Sequence, residues 1–354
     1  MTVLEATIKH ISQPDEAAMA AARDRWNAVA KPIGGLGLLE DLVIRIAGAT
    51  RDANVQLATR ELVVVCADNG VMRHGVSASD ASVTRIMAGA LGTGTSTVCV
   101  MARQAGCAVT PVDVGMLAGP TLAGVIARPV RVGGTDDIAA GPAMSREECL
   151  RAVEVGIELV RERAAQGVSL LLAGEMGIGN TTTACAVTCA LFGQAPREMA
   201  GPGAGLSDEG VSRKASVIES ALAVNRPDPA DPIDVLRKVG GFDIAALCGM
   251  CLGAARYRVP LLLDGVITLA GAACAVRLCP ECRFALFGSH LSAEPIAQLL
   301  LDEVGVDAPL HAGMHLGEGT GAVAMLPLLD VALEVYHNGT TFDQLAIDGY
   351  EPAG

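Results

Sequence analysis

At 354 residues the chain has room for one large domain or two ordinary ones, and length alone does not choose between them. Its 51% hydrophobic and 18% charged residues exclude a disordered chain, and only 3% are aromatic, so the core must be built from Ala, Val, Ile, Leu and Met. A net charge of -13 argues against a nucleic-acid groove or an anionic membrane as main partner, since both reward clustered Lys and Arg.

In chain order, residues 1–58 read as mainly helical, with the glycine loop KPIGGLG at 31–37 and no strand. The start carries acidic residues and no apolar signal core, and no apolar run of about 18 residues follows. The chain is therefore expected to be cytoplasmic. The apolar runs at 61–68, 105–115, 168–175, 259–265 and 282–289 predict buried strands. Helical patterns cover roughly 80–104, 145–165, 180–192, 207–224, 242–257, 265–278, 293–303 and 320–335, with a turn-rich connector, NRPDPADP, at 225–232.

Strands alternating with longer helices predict an α/β fold: a doubly wound, mainly parallel sheet with helices on both faces. The expected organisation is a helical N-terminal segment (1–58) in a small subdomain, an α/β core (59–335) and a C-terminal tail (336–354) packed near that subdomain. Such sheets bind ligands outside the carboxyl ends of their strands. Asp68, Asp113, Glu175, Asp264 and Ser289 fall at those ends.

Eleven cysteines are an odd count, and most lie in apolar segments, for example Cys66, Cys185, Cys189 and Cys274. Reduced buried thiols fit them better than a disulfide framework. Two C-x-x-C pairs, Cys248/Cys251 and Cys279/Cys282, are separated by more than a zinc ribbon allows, and the first lies in a helical pattern. Neither a metal nor a cofactor is expected.

The segment LLLAGEMGIGNTTTA (170–184) places Gly174, Gly179 and Thr181 as in a P-loop, but Asn180 stands where that loop needs lysine. Glycine amides and a helix N-terminus hold a monophosphate or carboxylate without it. ATP, which needs a point charge at its outer phosphates, is disfavoured. A second glycine-rich stretch, AGPGAGLSDEGVSRK (200–214), brings Lys214 two turns into a helix. That lysine is either the missing cation or one charge on a solvated face. In HLGEGTGAVAMLPLL (315–329), Glu318 either caps free helix amides or faces the cleft as a general base with a raised pKa. ADNGVMRHGVSASD (67–80) offers Asp68 and Ser77 for a ligand loop, and His74 reads as a solvent-exposed loop residue.

Nine segments in order, KPIGGLGLLEDL, ADNGV…HGVSA, GTDDIAAGPAMS, GEMGIGNTTTA, GLSDEGVSRK, GGFDIAALCG, LLLDGVITLAGA, SHLSAEP and LGEGTGA, resemble the nicotinate-nucleotide:dimethylbenzimidazole phosphoribosyltransferase family. The resemblance covers most of the chain. It implies transfer of 5-phosphoribose from nicotinate mononucleotide to an aromatic lower-ligand precursor of cobamides, with release of nicotinate.

It also implies roles. The general base falls on Glu318. Phosphoribosyl and nucleotide binding falls on Glu175, Gly177, Ile178, Gly179, Asn180, Thr181, Thr182, Gly203, Lys214, Asp264 and Ser289. Acceptor binding falls on Asp68, Ser77, Arg85, Met176 and Leu316. A dimer is implied, either a homodimer or a heterodimer with a paralogous subunit.

The sequence departs from the family on the acceptor side. The usual Asp-His-Gly is Asp68-Asn69-Gly70, the usual Tyr-Pro is Ser79-Asp80, and the glutamine that holds the benzimidazole falls on Arg85. A benzimidazole and a phenol or p-cresol acceptor both stay open, as does a non-catalytic subunit that completes another chain's pocket.

Overall fold

The computed structural model describes residues 2–350. Helices α1 (Val3–Lys9), α2 (Glu16–Ala28) and α3 (Leu38–Thr50) precede strand β1 (Arg60–Ala67). Then come a 3-10 turn (Gly70–His74), α4 (Ser82–Gly92), α5 (Thr97–Gln104), β2 (Ala108–Gly115) and β3 (Ile126–Ala127). The chain continues through α6 (Arg146–Ala165), β4 (Leu170–Met176), α7 (Asn180–Phe192), α8 (Pro196–Met199), α9 (Asp208–Asn225), α10 (Pro232–Val239) and α11 (Phe242–Tyr257). It ends with β5 (Leu261–Leu262), α12 (Val266–Leu278), a second 3-10 turn (Pro280–Ala285), β6 (Leu286–Phe287), α13 (Ala297–Val304), α14 (Thr320–Asn338) and α15 (Phe342–Leu345).

The six strands are all parallel, in the order β3-β2-β1-β4-β5-β6. Strand order reverses between β1 and β4, which opens a crevice at their carboxyl ends. Alternation along β1 sorts the core onto two faces. Val63, Val65 and Ala67 pack with α6, α7, α10, α11 and α12, whereas Leu62, Val64 and Cys66 pack with α3, α5 and α14. The expected doubly wound α/β fold is the one observed.

The N-terminal helices divide between these faces: Leu4 of α1 joins the first cluster, and Trp26 of α2 and Ile46 of α3 join the second. Trp26 packs on Tyr336 of α14 with ring centroids 5.1 Å apart, and Val29 bridges to Thr341. Both ends of the chain thus meet on one side of the sheet. Residues 351–354 of the expected C-terminal tail lie outside the described residues.

Three local expectations differ. The single helix at 80–104 is two, because Gly94 adopts φ +73° and Ser96 caps a new helix at the Cys99 amide. The strands expected at 259–265 and 282–289 pair over only two residues each. Helix α10 was hidden in the turn-rich connector, where Asp231 caps the Ile233 and Asp234 amides and Pro232 opens the first turn.

All eleven cysteines are free and buried. Burial pushes the Cys248 and Cys251 thiols up, and they sit within α11. Among the described residues no group of three or more His, Cys, Asp or Glu is placed to hold a metal.

Candidate active site

A cleft of about 820 Å³ runs along the carboxyl ends of the strands, from Val76 and Ser77 after β1, past β4 and β5, to His290 and Glu294 after β6. Its floor is the loop from Glu175 to Thr181 that leads into α7. That loop must be glycine-rich for packing reasons. A Cβ on Gly177 would come within 2.6 Å of the Ala67 carbonyl oxygen, and Gly179 adopts φ +94°.

Asn180 does not project into the cleft as a substitute for a P-loop lysine. Its Nδ2 donates to Glu175 and to Asp243 Oδ2 (3.1 Å), so one amide separates two buried carboxyl groups. Burial pushes Glu175 up to about 8 and Asp243 up to about 6, and Asn180 opposes both shifts. Glu175 is therefore largely a neutral acid near pH 7 and can donate a proton to a hydrogen bond.

Lys214 is fully buried, which removes the solvated-face reading. Its Nζ donates to Thr181 Oγ1 (3.1 Å) and to the Gly201 carbonyl (3.0 Å). Burial lowers its pKa, and the Glu294 carboxylate opposes that. Glu294 Oε1 in turn accepts from the Gly203 amide at 2.8 Å. The two glycine-rich stretches, far apart in sequence, thus meet through one cation, one hydroxyl and one carboxylate beside the N-terminus of α7.

Glu318 has φ +60° and is 4% exposed. It does not cap α14. That task falls to Asp264, whose Oδ2 accepts from Gly319 (3.0 Å) and whose Oδ1 accepts from Gly321 (2.7 Å) and Ala322 (3.2 Å). Burial raises the Glu318 pKa, Asp264 adds to the rise, and the Val98 amide and Ser96 hydroxyl oppose it. Glu318 Oε2 has no hydrogen-bond partner among the described residues. Gly317 lines the cleft, while the Glu318 carboxyl lies off its wall.

A family model described as phosphoribosyltransferase matches residues 11–347. The chain belongs to this phosphoribosyltransferase family. It is 41% identical over 346 residues to the nicotinate-nucleotide–dimethylbenzimidazole phosphoribosyltransferase of Acetivibrio thermocellus, covering 98% of both chains. It is 42% identical over 347 residues to the enzyme of the same name from Desulforudis audaxviator, again covering 98% of both. The crystal structure of CobT from Thermus thermophilus superposes with a TM-score of 0.88 at 39% identity, covering 94% of this chain and 99% of that one. The protein is thus a glycosyltransferase-type enzyme, as the ordered motifs implied.

Within this phosphoribosyltransferase, the cleft wall gathers Ser77, Glu175, Met176, Gly177, Ile178, Gly179, Asn180, Thr181, Gly203, Asp264 and Leu316 of the residues expected there. Five others lie off the wall. Lys214 acts from beneath, as described. Thr182 is fully buried in α7 with its Oγ1 unpartnered among the described residues. Ser289 is fully buried, and its Oγ donates to the Leu263 carbonyl at 2.6 Å, tying β6 to β5. Asp68 accepts from the Leu117 amide at 2.7 Å, and burial raises its pKa. Arg85 donates to the Leu117 carbonyl (3.1 Å) and to the Pro120 carbonyl and lines a separate cavity of about 550 Å³. Asp68 and Arg85 therefore brace the loop after β2 and do not touch the main cleft.

His74 is not a free loop residue either: its Nε2 donates to Asp137 at 2.8 Å. Sequence reasoning missed Asp243, Thr268, His290, Ser292 and Glu294. The stretch SHLSAEP held the signal for three of these, but only Ser289 was taken from it, and it follows a strand whose side chains alternate in and out. Asp243, in the quoted GGFDIAALCG, sits one residue into a helix and reads as an ordinary first-turn acid.

Proposed function

We propose that this enzyme transfers 5-phosphoribose from nicotinate mononucleotide to dimethylbenzimidazole, releasing nicotinate and forming an α-riboside 5′-phosphate. The observation that carries the proposal is the convergence of Lys214, Thr181 and Gly203 beside the N-terminus of α7, a cradle for one phosphate with no metal or second lysine. The names of the relatives support the two substrates.

The chemistry suits these residues. Nicotinate leaves as the neutral-ring product of a pyridinium and needs no acid. The acceptor N–H must lose a proton as its bond to C1′ forms, which calls for one carboxylate base. Glu318 supplies it: the unpartnered Oε2 and raised pKa describe a carboxylate whose partner is the substrate. Glu175, protonated near neutral pH, is unsuited to that task and serves as a hydrogen-bond donor in the nucleotide half. Val76, Met176 and Leu316 give the aromatic acceptor an apolar slot beside Ser77. Holding the acceptor in line with C1′ supplies much of the remaining rate.

One observation favours a second acceptor class. Arg85, at the position of the benzimidazole-holding glutamine, turns away to the Leu117 and Pro120 carbonyls, so the second ring nitrogen finds no such partner. A phenol or p-cresol needs none. A non-catalytic subunit is the weaker alternative, since Glu318 and the Lys214 cradle are both intact.

Incubation with nicotinate mononucleotide and each of dimethylbenzimidazole, adenine, phenol or p-cresol, with products identified by mass, separates these. N-linked products alone exclude the phenolic reading; an inert chain that activates a similar subunit favours the non-catalytic one. A dimer is proposed too, supported by the half-exposed Ile33, Leu36 and Leu38 of the glycine loop, with light scattering as its test. No helix among the described residues is long and apolar enough to cross a membrane, and a cytoplasmic location is proposed on the biosynthetic role.

A further inference from the structure

We propose that His290 binds the ribose of the nucleotide substrate, accepting a hydrogen bond at Nε2 from a ribose hydroxyl. The inference rests on the nucleotide reading above and adds a residue and an atom to it.

The fold fixes which ring nitrogen carries the proton. Ser289 Oγ lies 2.6 Å from the Leu263 carbonyl, which can only accept, so the single hydroxyl proton of Ser289 points there. Its oxygen is then left to accept from His290 Nδ1, 3.2 Å away. Asp264 Oδ1, 3.8 Å from Nδ1, attracts the same proton. The neutral ring is therefore protonated on Nδ1, and Nε2 presents a bare lone pair.

The ring is also held in place. His290 is 3% exposed, and its ring lies so close over Gly321, in the first turn of α14, that no Cβ fits between them. On the other side a Cβ at Gly265 would lie 3.8 Å from Nε2 and 4.0 Å from Ser292 Oγ, so Nε2 faces the opening that Gly265 leaves. Gly265, His290 and Ser292 all line the cleft, and Nε2 makes no hydrogen bond among the described residues.

A bare lone pair selects a donor. At neutral pH the phosphate and carboxylate of nicotinate mononucleotide mainly accept, which leaves the ribose hydroxyls. The acceptor's own N–H or O–H would also donate, but Val76, Ser77 and Met176 place the aromatic slot at the β1 and β4 end of the cleft. His290 stands at the β6 end with Glu294 and the Lys214 cradle.

The test is calorimetric titration of nicotinate mononucleotide and its 2′-deoxy and 3′-deoxy counterparts, without acceptor, into the wild-type protein and His290→Phe. The expected result is about tenfold weaker binding of the parent nucleotide by His290→Phe, with one deoxy analogue bound equally by both proteins. Equal losses for all three ligands, or no loss, overturn the proposal while leaving the nucleotide reading intact. A wild-type protein that binds no nicotinate mononucleotide overturns both.

A second measurement leaves His290 unaltered, in case His290→Phe fails to fold. His10 and His315 also donate from Nδ1 to carbonyls, so 15N spectra are recorded in a His10→Gln, His315→Gln background. His290 is expected to show Nδ1 protonated and an Nε2 resonance that moves on nucleotide addition. An Nε2-protonated ring, or an unmoved resonance, overturns the assignment.

Discussion

Lys214 Nζ lies 3.1 Å from Thr181 Oγ1 and joins the start of α7 to a lysine two turns into α9. A fully buried ammonium with one hydroxyl and one carbonyl as partners keeps capacity for an anion. Lys214→Met preserves the aliphatic stem and removes the charge. Its KM for nicotinate mononucleotide is expected to rise roughly tenfold or more, with the acceptor KM nearly unchanged. Steady-state kinetics with each substrate varied in turn checks this, and equal rises in both would place Lys214 in general packing.

Glu318 is expected to carry the proton-transfer step. Glu318→Gln keeps the shape and removes the base, so turnover should fall by about two to four orders of magnitude while calorimetric affinity for nicotinate mononucleotide holds. Because burial raises the Glu318 pKa, the wild-type rate should rise with pH through a value above the ordinary carboxylate range. A rate that is flat from pH 4 upward, or a Gln variant at full turnover, would remove Glu318 from this role.

Asp264 accepts three amides at the start of α14 and so fixes the turn that carries Glu318. In Asp264→Asn one carboxylate oxygen becomes an NH2 group facing an amide. That mismatch should cost about 1–3 kcal/mol in denaturant unfolding. Turnover should fall as well, through misplacement of Glu318. Wild-type stability in this variant would mean that the amides find other partners.

The acceptor side yields a contrast between two residues. Arg85 braces the 117–120 loop away from the cleft, whereas Met176 lines it. Arg85→Ala is expected to lower the melting temperature while keeping the preference among acceptors within about twofold. Met176→Ala should raise the acceptor KM about tenfold, as deletion of several apolar atoms from a binding slot does. A changed acceptor preference in Arg85→Ala would return that residue to the pocket.

How much of this was legible in the sequence follows from what each residue depends on. The alternation of apolar runs with helical patterns fixes a parallel sheet locally, so fold class and cleft position were readable, and the glycine spacing marked the loop at 175–181. Side-chain direction was not readable. Whether Lys214 points inward depends on Thr181 and Gly201 arriving from other segments, and Arg85 turns away because two carbonyls of a distant loop meet it. The exchange of capping duty between Glu318 and Asp264 is likewise a tertiary fact, since Asp264 reaches α14 from across β5. His290 was hidden by its neighbour: Ser289 reads as the more ordinary ligand, yet its hydroxyl faces the sheet.

Glu175 gives a pH dependence whose sign can be worked out. Its folded pKa is raised, chiefly by burial, from 4.5 to about 8. The folded state therefore holds a proton that the unfolded chain releases between those values, and the unfolded chain binds fewer protons throughout that window. Stability from this group is fully present below 4.5 and is lost as pH rises through 8. Asp243, raised to about 6, acts in the same direction over a lower range, so the upper part of the loss belongs mainly to Glu175. Denaturant unfolding should show wild-type stability falling by a few kcal/mol at most between pH 6.5 and 9. In Glu175→Gln, whose side chain stays neutral and still accepts from Asn180 Nδ2, the slope over that interval should flatten. An unchanged slope would mean that Glu175 is already ionised at pH 6.5 and that Asn180 outweighs its burial.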